Sequence, residues 1–270
     1  MNLLLLALSV LPVVLLMIFI YRKDKYQKEP IKSLAKAFIG GMLAIPLDII
    51  IVSIVDWGFK FFPAFQDTVF YTAFCNAGIP EELSKFLIFM IFIWRDKNFD
   101  EYFDGIVYAS FIGLGFACVE NIMYVFGAAT ESFGSGVGTS IVRAMLSVPG
   151  HFLFGVVLGY FLSMAKFHPE KRGIYLWTGL FSAMLAHGLF DWLLMITDVL
   201  GPLFGTLITI VFIWGDIKLW KLGLKYISKQ QENSRLQAQA EAFNNEEILI
   251  SNAEYDPEYK QIDWNAGDRQ

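Results

Sequence analysis

The sequence predicts an all-α fold, a polytopic membrane bundle of about seven transmembrane helices around a polar cavity in the outer half of the bilayer. Three observations predict it. First, of 270 residues 56% are hydrophobic and only 17% charged, against about 25% charged in soluble domains. With the 22 glycines counted the apolar share is about 64%, above the roughly 45–50% of soluble domains. Second, that apolar content is gathered into runs long enough to cross a bilayer, which takes about 20 residues. Third, ionisable residues recur inside four of those runs at similar depths.

The runs are about 2–21, 34–57, 68–94, 104–127, 140–166, 174–196 and 199–227. The first lacks a basic leader and is followed at once by Arg22, Lys23, Lys25 and Lys28, which argues for an uncleaved anchor rather than a removed signal peptide. The third contains Pro80, a residue suited to the first turn of a helix, so a break is expected there, with Thr68–Ile79 as a separate piece. In the fourth, Gly113 and Gly115, and in the fifth, Gly155 and Gly159, leave room for a neighbouring helix to pack closely. Cys75 and Cys118 both sit in apolar runs and read as small buried residues, not as a disulfide framework.

Charge sets the expected orientation. Fifteen Lys and Arg fall at the alternate connections after runs one, three, five and seven, whereas only Lys60 and Arg143 fall on the other side. The positive-inside rule then puts the N-terminus outside and the C-terminus in the cytoplasm of a multi-pass cell-membrane protein. The net charge of −5 belongs to residues 228–270, which hold nine acidic and four basic side chains; the rest of the chain is neutral. No basic patch suits nucleic acid. The sequence therefore divides into a membrane domain, 1–227, and a polar acidic cytoplasmic tail, 228–270. Within the tail, 229–243 has the composition of a surface helix, and the NNEE and EYDPEY segments read as a solvated end.

A charge inside a membrane span costs about 2.5–3.5 kcal/mol on insertion scales, so intramembrane ionisable residues point to function. Run three holds Pro80-Glu81-Glu82-Leu83-Ser84-Lys85, run four Phe116-x-x-x-Glu120-Asn121, run five His151, and run six His187-x-x-x-Asp191. At helical spacing Lys85 lies between Glu81 and Glu82 and can partner either. The Glu pair occupies the positive first turn after Pro80. His187 and Asp191 are four apart on one face, so the carboxylate can hold one imidazole nitrogen and set the tautomer. Counted from the outer ends of their runs, these residues lie about 8 to 21 Å deep. Five groups from four helices at overlapping depths predict one cavity opening outward. Asp48, after Pro46 in run two, is also intramembrane, and the sequence does not decide between a structural and a site role. His168 lies in a basic loop and reads as solvated.

Such a constellation suits activation of water. A buried glutamate can act as general base, and an imidazole can donate to a developing oxyanion. Neither a GxSxG elbow nor an HExxH helix is present. Two histidines with carboxylates are also zinc-like in type, but the adjacent Lys85 would repel a cation.

The set Glu81-Glu82-x-x-Lys85, Phe116-x-x-x-Glu120-Asn121, His151 and His187-x-x-x-Asp191 resembles, in this order and across about residues 30–225, the PrsW family of intramembrane proteases. That family is similar to a larger group containing CAAX-prenyl endopeptidases and bacterial Abi proteins. The resemblance implies a metal-independent, glutamate-type peptidase with no cofactor. It would cut a membrane-anchored protein on its outer side, an anti-sigma factor in regulated intramembrane proteolysis being the associated substrate. It implies that Glu81 and Glu82 are the catalytic carboxylates, with Glu82 favoured as general base. By the same resemblance, His187 orients water or stabilises the oxyanion, Asp191 orients His187, His151 and Glu120 complete the site, and Lys85 tunes the glutamates. Two other readings use the same residues: a proton-coupled transporter, which would show an inverted repeat with a broken helix in each half, and a non-catalytic binder of membrane proteins. Only one break and no internal repeat are visible. The sequence specifies no oligomeric state and no particular substrate.

Overall fold

The computed structural model describes residues 2–255. Among them are helices α1 (Leu3–Lys23), α2 (Ile31–Phe59), α3 (Pro63–Gln66), a π-helical stretch (Tyr71–Gly78), α4 (Ile79–Phe92), α5 (Asp104–Ala129), α6 (Phe133–Met145), α7 (Ser147–Phe167), α8 (Arg172–Val199) and α9 (Gly201–Tyr255), with no strand. The polytopic helical bundle is therefore as expected, with three changes in how its spans are built.

Six helical segments are long and apolar enough to cross a membrane, where seven were expected. The difference is run three, 68–94, which is divided into the π-helical stretch and the 14-residue α4. At Pro80, where a break was expected, the chain stays helical: Gly78 and Ile79 keep helical dihedrals, and the winding changes from π to α there. Run five is broken: α6 ends at Met145 and α7 begins at Ser147. Pro149 explains this, because it has no N–H to donate and its ring would meet the carbonyl of Met145 in a continuous helix. The last run is longer than expected, because α9 continues without interruption through the NNEE segment to Tyr255. The remainder of the EYDPEY segment lies outside the described residues.

The helices are not equivalent. The apolar part of α5 is 78% buried, whereas those of α1, α2 and α9 are 22%, 17% and 11% buried. So α5 is the central post, and the outer helices turn Leu15, Ile54, Trp57, Phe181, Leu203 and Trp214 outward, the surface expected to meet lipid. Helix α7 lies against α5 because small residues face each other there: a Cβ on Gly155 would stand 2.8 Å from the Ala109 carbonyl oxygen, and one on Gly113 would stand 2.7 Å from that of His151. At the other side of the bundle, a Cβ on Gly78 would be 2.6 Å from the Gly188 nitrogen. The π-helical junction and α8 thus touch backbone to backbone. This contact puts His187, next to Gly188, beside the first turn of α4. Cys75 is half-buried, Cys118 buried, and both are free.

Candidate active site

Helix α4 supplies the centre of the site. Its first turn carries Glu81 and Glu82, and Lys85 stands one turn on. All three are buried, Glu82 to 1% exposure against 8% for Glu81. Lys85 Nζ donates to Glu82 Oε1 at 2.8 Å and to Glu81 Oε2 at 3.2 Å, so the one ammonium serves both carboxylates, as the helical spacing predicts. It also lies 4.1 Å from the centre of the Phe116 ring on α5. A buried ammonium is tolerated only when its donors and charge are met; two carboxylates and an aromatic face meet them here.

Helix α7 brings His151 onto this cluster. Its Nδ1 is 3.0 Å from Lys85 Nζ and its Nε2 is 2.8 Å from Glu120 Oε2 of α5. An ammonium only donates, so Nδ1 accepts and Nε2 carries the proton toward Glu120. Helix α8 adds His187, whose Nδ1 is 2.9 Å from Glu82 Oε1 and whose Nε2 is 3.4 Å from Asp191 Oδ2. A carboxylate thus faces each ring nitrogen. The ring stacks on Phe154 at 4.6 Å and stands edge-on to His151 at 5.1 Å, which restricts its rotation. The structure therefore brings together every residue singled out from the sequence: Glu81, Glu82, Lys85, Glu120, His151, His187 and Asp191.

It also adds residues that the sequence motifs leave out. Arg143 of α6 donates through Nη2 to Glu120 Oε2 at 2.7 Å and through Nε to Asn121 Oδ1 at 2.9 Å. Its guanidinium lies 4.2 Å from the Tyr124 ring centre. Asn121 in turn donates to the Ser9 carbonyl of α1 at 2.6 Å. The one available signal for Arg143 was its place among the few cations on the poorly charged side of the bundle. Asp48 of α2 is within electrostatic reach of Lys85, Glu120, His187 and Glu82, and one of its carboxylate oxygens is buried without a hydrogen-bond partner. His168 is away from the cluster, beside Tyr102 and Glu170.

A cavity of about 190 Å³ opens on the cluster, lined by Glu120, Tyr124, Arg143, His151, His187 and Asp191 together with Ser147 and apolar side chains. Glu81 and Glu82 are not in its lining. They stand behind the two imidazoles, with Glu81 Oε2 3.9 Å from both His151 Nδ1 and His187 Nε2.

In comparison with protein families, residues 29–215 match the model described as "PrsW family intramembrane metalloprotease". The chain belongs to the PrsW family. It is 33% identical to the protease PrsW of Geobacillus kaustophilus, over 87% of this chain and 95% of that protein. It is 34% identical to that of Clostridioides difficile, over 84% and 92%, and 31% identical to that of Bacillus subtilis, over 76% and 88%. No solved structure matches the chain. It is thus a multi-pass membrane protein and an intramembrane protease of the PrsW family.

The family description raises the question of a metal. Glu81, Glu82, His151 and His187 each offer a donor atom, all within 4.8 Å of one another, and carboxylates with imidazoles are zinc donors in kind. However, Lys85 Nζ already stands within hydrogen-bond distance of three of these four residues. The four donors as arranged fit the ammonium, and a divalent ion between them would require Lys85 to withdraw.

Proposed function

We propose that this PrsW-family protease hydrolyses a peptide bond of a membrane-anchored protein by glutamate-activated water, without a metal. The observation that carries the reading is the Lys85 ammonium, seated between Glu81, Glu82 and His151 where a metal would otherwise sit. Glu81 is the general base in this reading. Support for Glu81 rather than Glu82, the residue the sequence favoured, comes from how each is engaged. Glu82 Oε1 takes hydrogen bonds from both Lys85 and His187 and is almost fully buried. The Glu81 carboxylate has the single, longer contact to Lys85 and two imidazoles at 3.9 Å, a separation that leaves it freer to take a proton. Glu82 then holds Lys85 and His187 in place.

In the reaction, a water admitted between the two imidazoles, which separate Glu81 from the cavity, attacks the scissile carbonyl carbon while its proton passes to Glu81. The new oxyanion is met by donors lining the cavity, His187 Nε2 foremost, as it turns from the longer contact to Asp191 while Glu82 holds the ring through Nδ1,. The C–N bond then breaks, and Glu81 returns its proton to the leaving amine. His151, Glu120 and Arg143 position this assembly. The substrate assigned is a single-span membrane protein, an anti-sigma factor in regulated intramembrane proteolysis. The cavity faces the outer side of the cell membrane, and the C-terminal tail faces the cytoplasm.

The test is cleavage of single-span candidate substrates in proteoliposomes by the wild type, Glu81→Gln and Glu82→Gln, with and without chelator. Chelator-resistant cleavage abolished in Glu81→Gln supports the reading. Chelator-sensitive cleavage would transfer Glu81, Glu82, His151 and His187 to a zinc site.

A further inference from the structure

At the opposite end of α5 from Glu120, about 24 Å along the helix at its usual rise, the structure gathers a second group of acids. Asp24 ends α1, Glu29 lies in the α1–α2 connection, Glu101 in the α4–α5 connection, and Asp104 begins α5. Each is at most 4% exposed. Each of Asp24, Glu29 and Asp104 has one oxygen satisfied: Asp24 Oδ2 by the Glu29 N–H at 3.1 Å, Asp104 Oδ2 by the N–H groups of Asp100 at 3.0 Å and Glu101 at 2.7 Å, and Glu29 Oε2 by the Tyr108 hydroxyl. In contrast, Asp24 Oδ1, Glu101 Oε1 and Asp104 Oδ1 are buried with no partner.

No Lys, Arg or His forms an ion pair with any of the four among the described residues. The charged and titratable groups that face them are Lys28 of their own connection, Asp100 of the α4–α5 connection, Tyr108 of α5 and Lys166 of α7. Of these, Lys28 donates to the Tyr21 carbonyl and Lys166 to the Trp94 carbonyl. Four ionised carboxylates without a paired cation are not stable out of water. Glu29 and Asp104 are moreover within electrostatic reach of one another, and like charges that close oppose joint ionisation.

The same place anchors the extension of α9. Gln231 donates to the Lys23 carbonyl, next to Asp24. Ser234 Oγ accepts from the Phe103 N–H at 2.9 Å, and Gln237 donates to the Asp100 carbonyl at 2.7 Å. Ser234 also faces Glu101. We propose that Asp24, Glu29, Glu101 and Asp104 form a proton-binding latch that holds the α1–α2 and α4–α5 connections together beneath the extension of α9.

Burial pushes Glu29, Glu101 and Asp24 above the ordinary carboxylate range, Glu101 to about 8 with the charges of Asp24 and Glu29 adding to the effect. An acid raised on folding binds its proton in the folded state where the unfolded chain has lost it. Its favourable folded form is therefore progressively lost as pH rises from the ordinary carboxylate range to about 8,. Ionisation then places like charges on both connections and loosens the latch.

The experiment is hydrogen exchange of the full-length protein in nanodiscs at pH 6, 7, 8 and 9, corrected for intrinsic rates, read on peptides covering 96–104 and 228–240. Wild type is expected to lose protection there above pH 7, by up to about tenfold per pH unit for each carboxyl that ionises. Glu101→Gln is expected to keep more of its protection to pH 9, and Glu29→Gln serves equally if that variant does not insert. Uniform protection from pH 6 to 9, or the same loss in the neutral variant, would overturn the proposal. So would full recovery of protection at pH 9 on adding Mg²⁺ alone, because that outcome makes the ligand a divalent cation.

Discussion

His151 presents Nδ1 to Lys85 Nζ at 3.0 Å. Because an ammonium has no lone pair to offer, this contact settles the tautomer: Nδ1 accepts, and Nε2–H points to Glu120 at 2.8 Å,. The two helices that carry the pair, α4 and α7, are thereby tied through a proton whose location is defined, and Lys85 becomes the hub on which both glutamates and one histidine depend.

Removing that hub is expected to cost stability before it costs chemistry. Lys85→Met leaves Glu81 and Glu82 buried with no ammonium between them, and breaking a buried pair by deleting one partner costs about 3–5 kcal/mol. Thermal unfolding in detergent measures it. The double variant Lys85→Met/Glu82→Gln should recover part of the loss, since one stranded charge goes with it. A double variant no more stable than Lys85→Met would show that the pairing is not what holds α4 in place.

The two glutamates should separate in kinetics. Glu81→Gln is expected to lower kcat by about 10²–10⁴ with insertion and yield intact. Glu82→Gln still accepts from Lys85 or His187 through its amide oxygen and should lose less. The opposite ranking would return the base role to Glu82.

Arg143 shares Glu120 Oε2 with His151. Without it Glu120 turns more freely and His151 loses its fixed partner. Arg143→Gln should therefore reduce kcat by about tenfold, about 1.4 kcal/mol, with KM unchanged. Arg143→Lys should restore part of it, a lysine keeping the charge but not the two-pronged contact to Glu120 and Asn121. A change confined to KM would make Arg143 a substrate contact instead.

Gly113 tests the packing behind His151. A side chain there would press on the His151 carbonyl, which is backbone and cannot swing away. Gly113→Val should destabilise by about 1–3 kcal/mol through overpacking and lower activity by displacing the imidazole. Unaltered melting and activity would mean that α5 and α7 separate at no cost.

Much of the site was legible in the sequence because the bilayer makes it so. An ionisable residue in an apolar run is costly, so Glu81, Glu82, Lys85, Glu120, His151, His187 and Asp191 stood out one by one, and the spacing of four linked Lys85 to Glu81 and Asp191 to His187. Arg143 did not stand out as a site residue, because it lay near a run's end among residues that read as connection. Its contact to Glu120 is made from α6 to α5 across 23 positions, which no local spacing announces. The acids Asp24, Glu29, Glu101 and Asp104 were equally silent, since each sits beside lysines or turn residues in the chain, and nothing local says that they are buried together.

What the sequence by itself determined is the class of molecule, its helical spans with an error of one, and the identities of the reactive groups, because hydropathy and i to i+4 spacing are local properties. What only the tertiary structure decided is which groups share an atom. Lys85 reaches His151 across 66 positions and His187 reaches Glu82 across 105. Those meetings depend on the backbone approaches of Gly78 to Gly188 and of Gly113 to His151, on a π-helical turn and on a proline break, and a distance between helices is a property of their packing that no single segment contains.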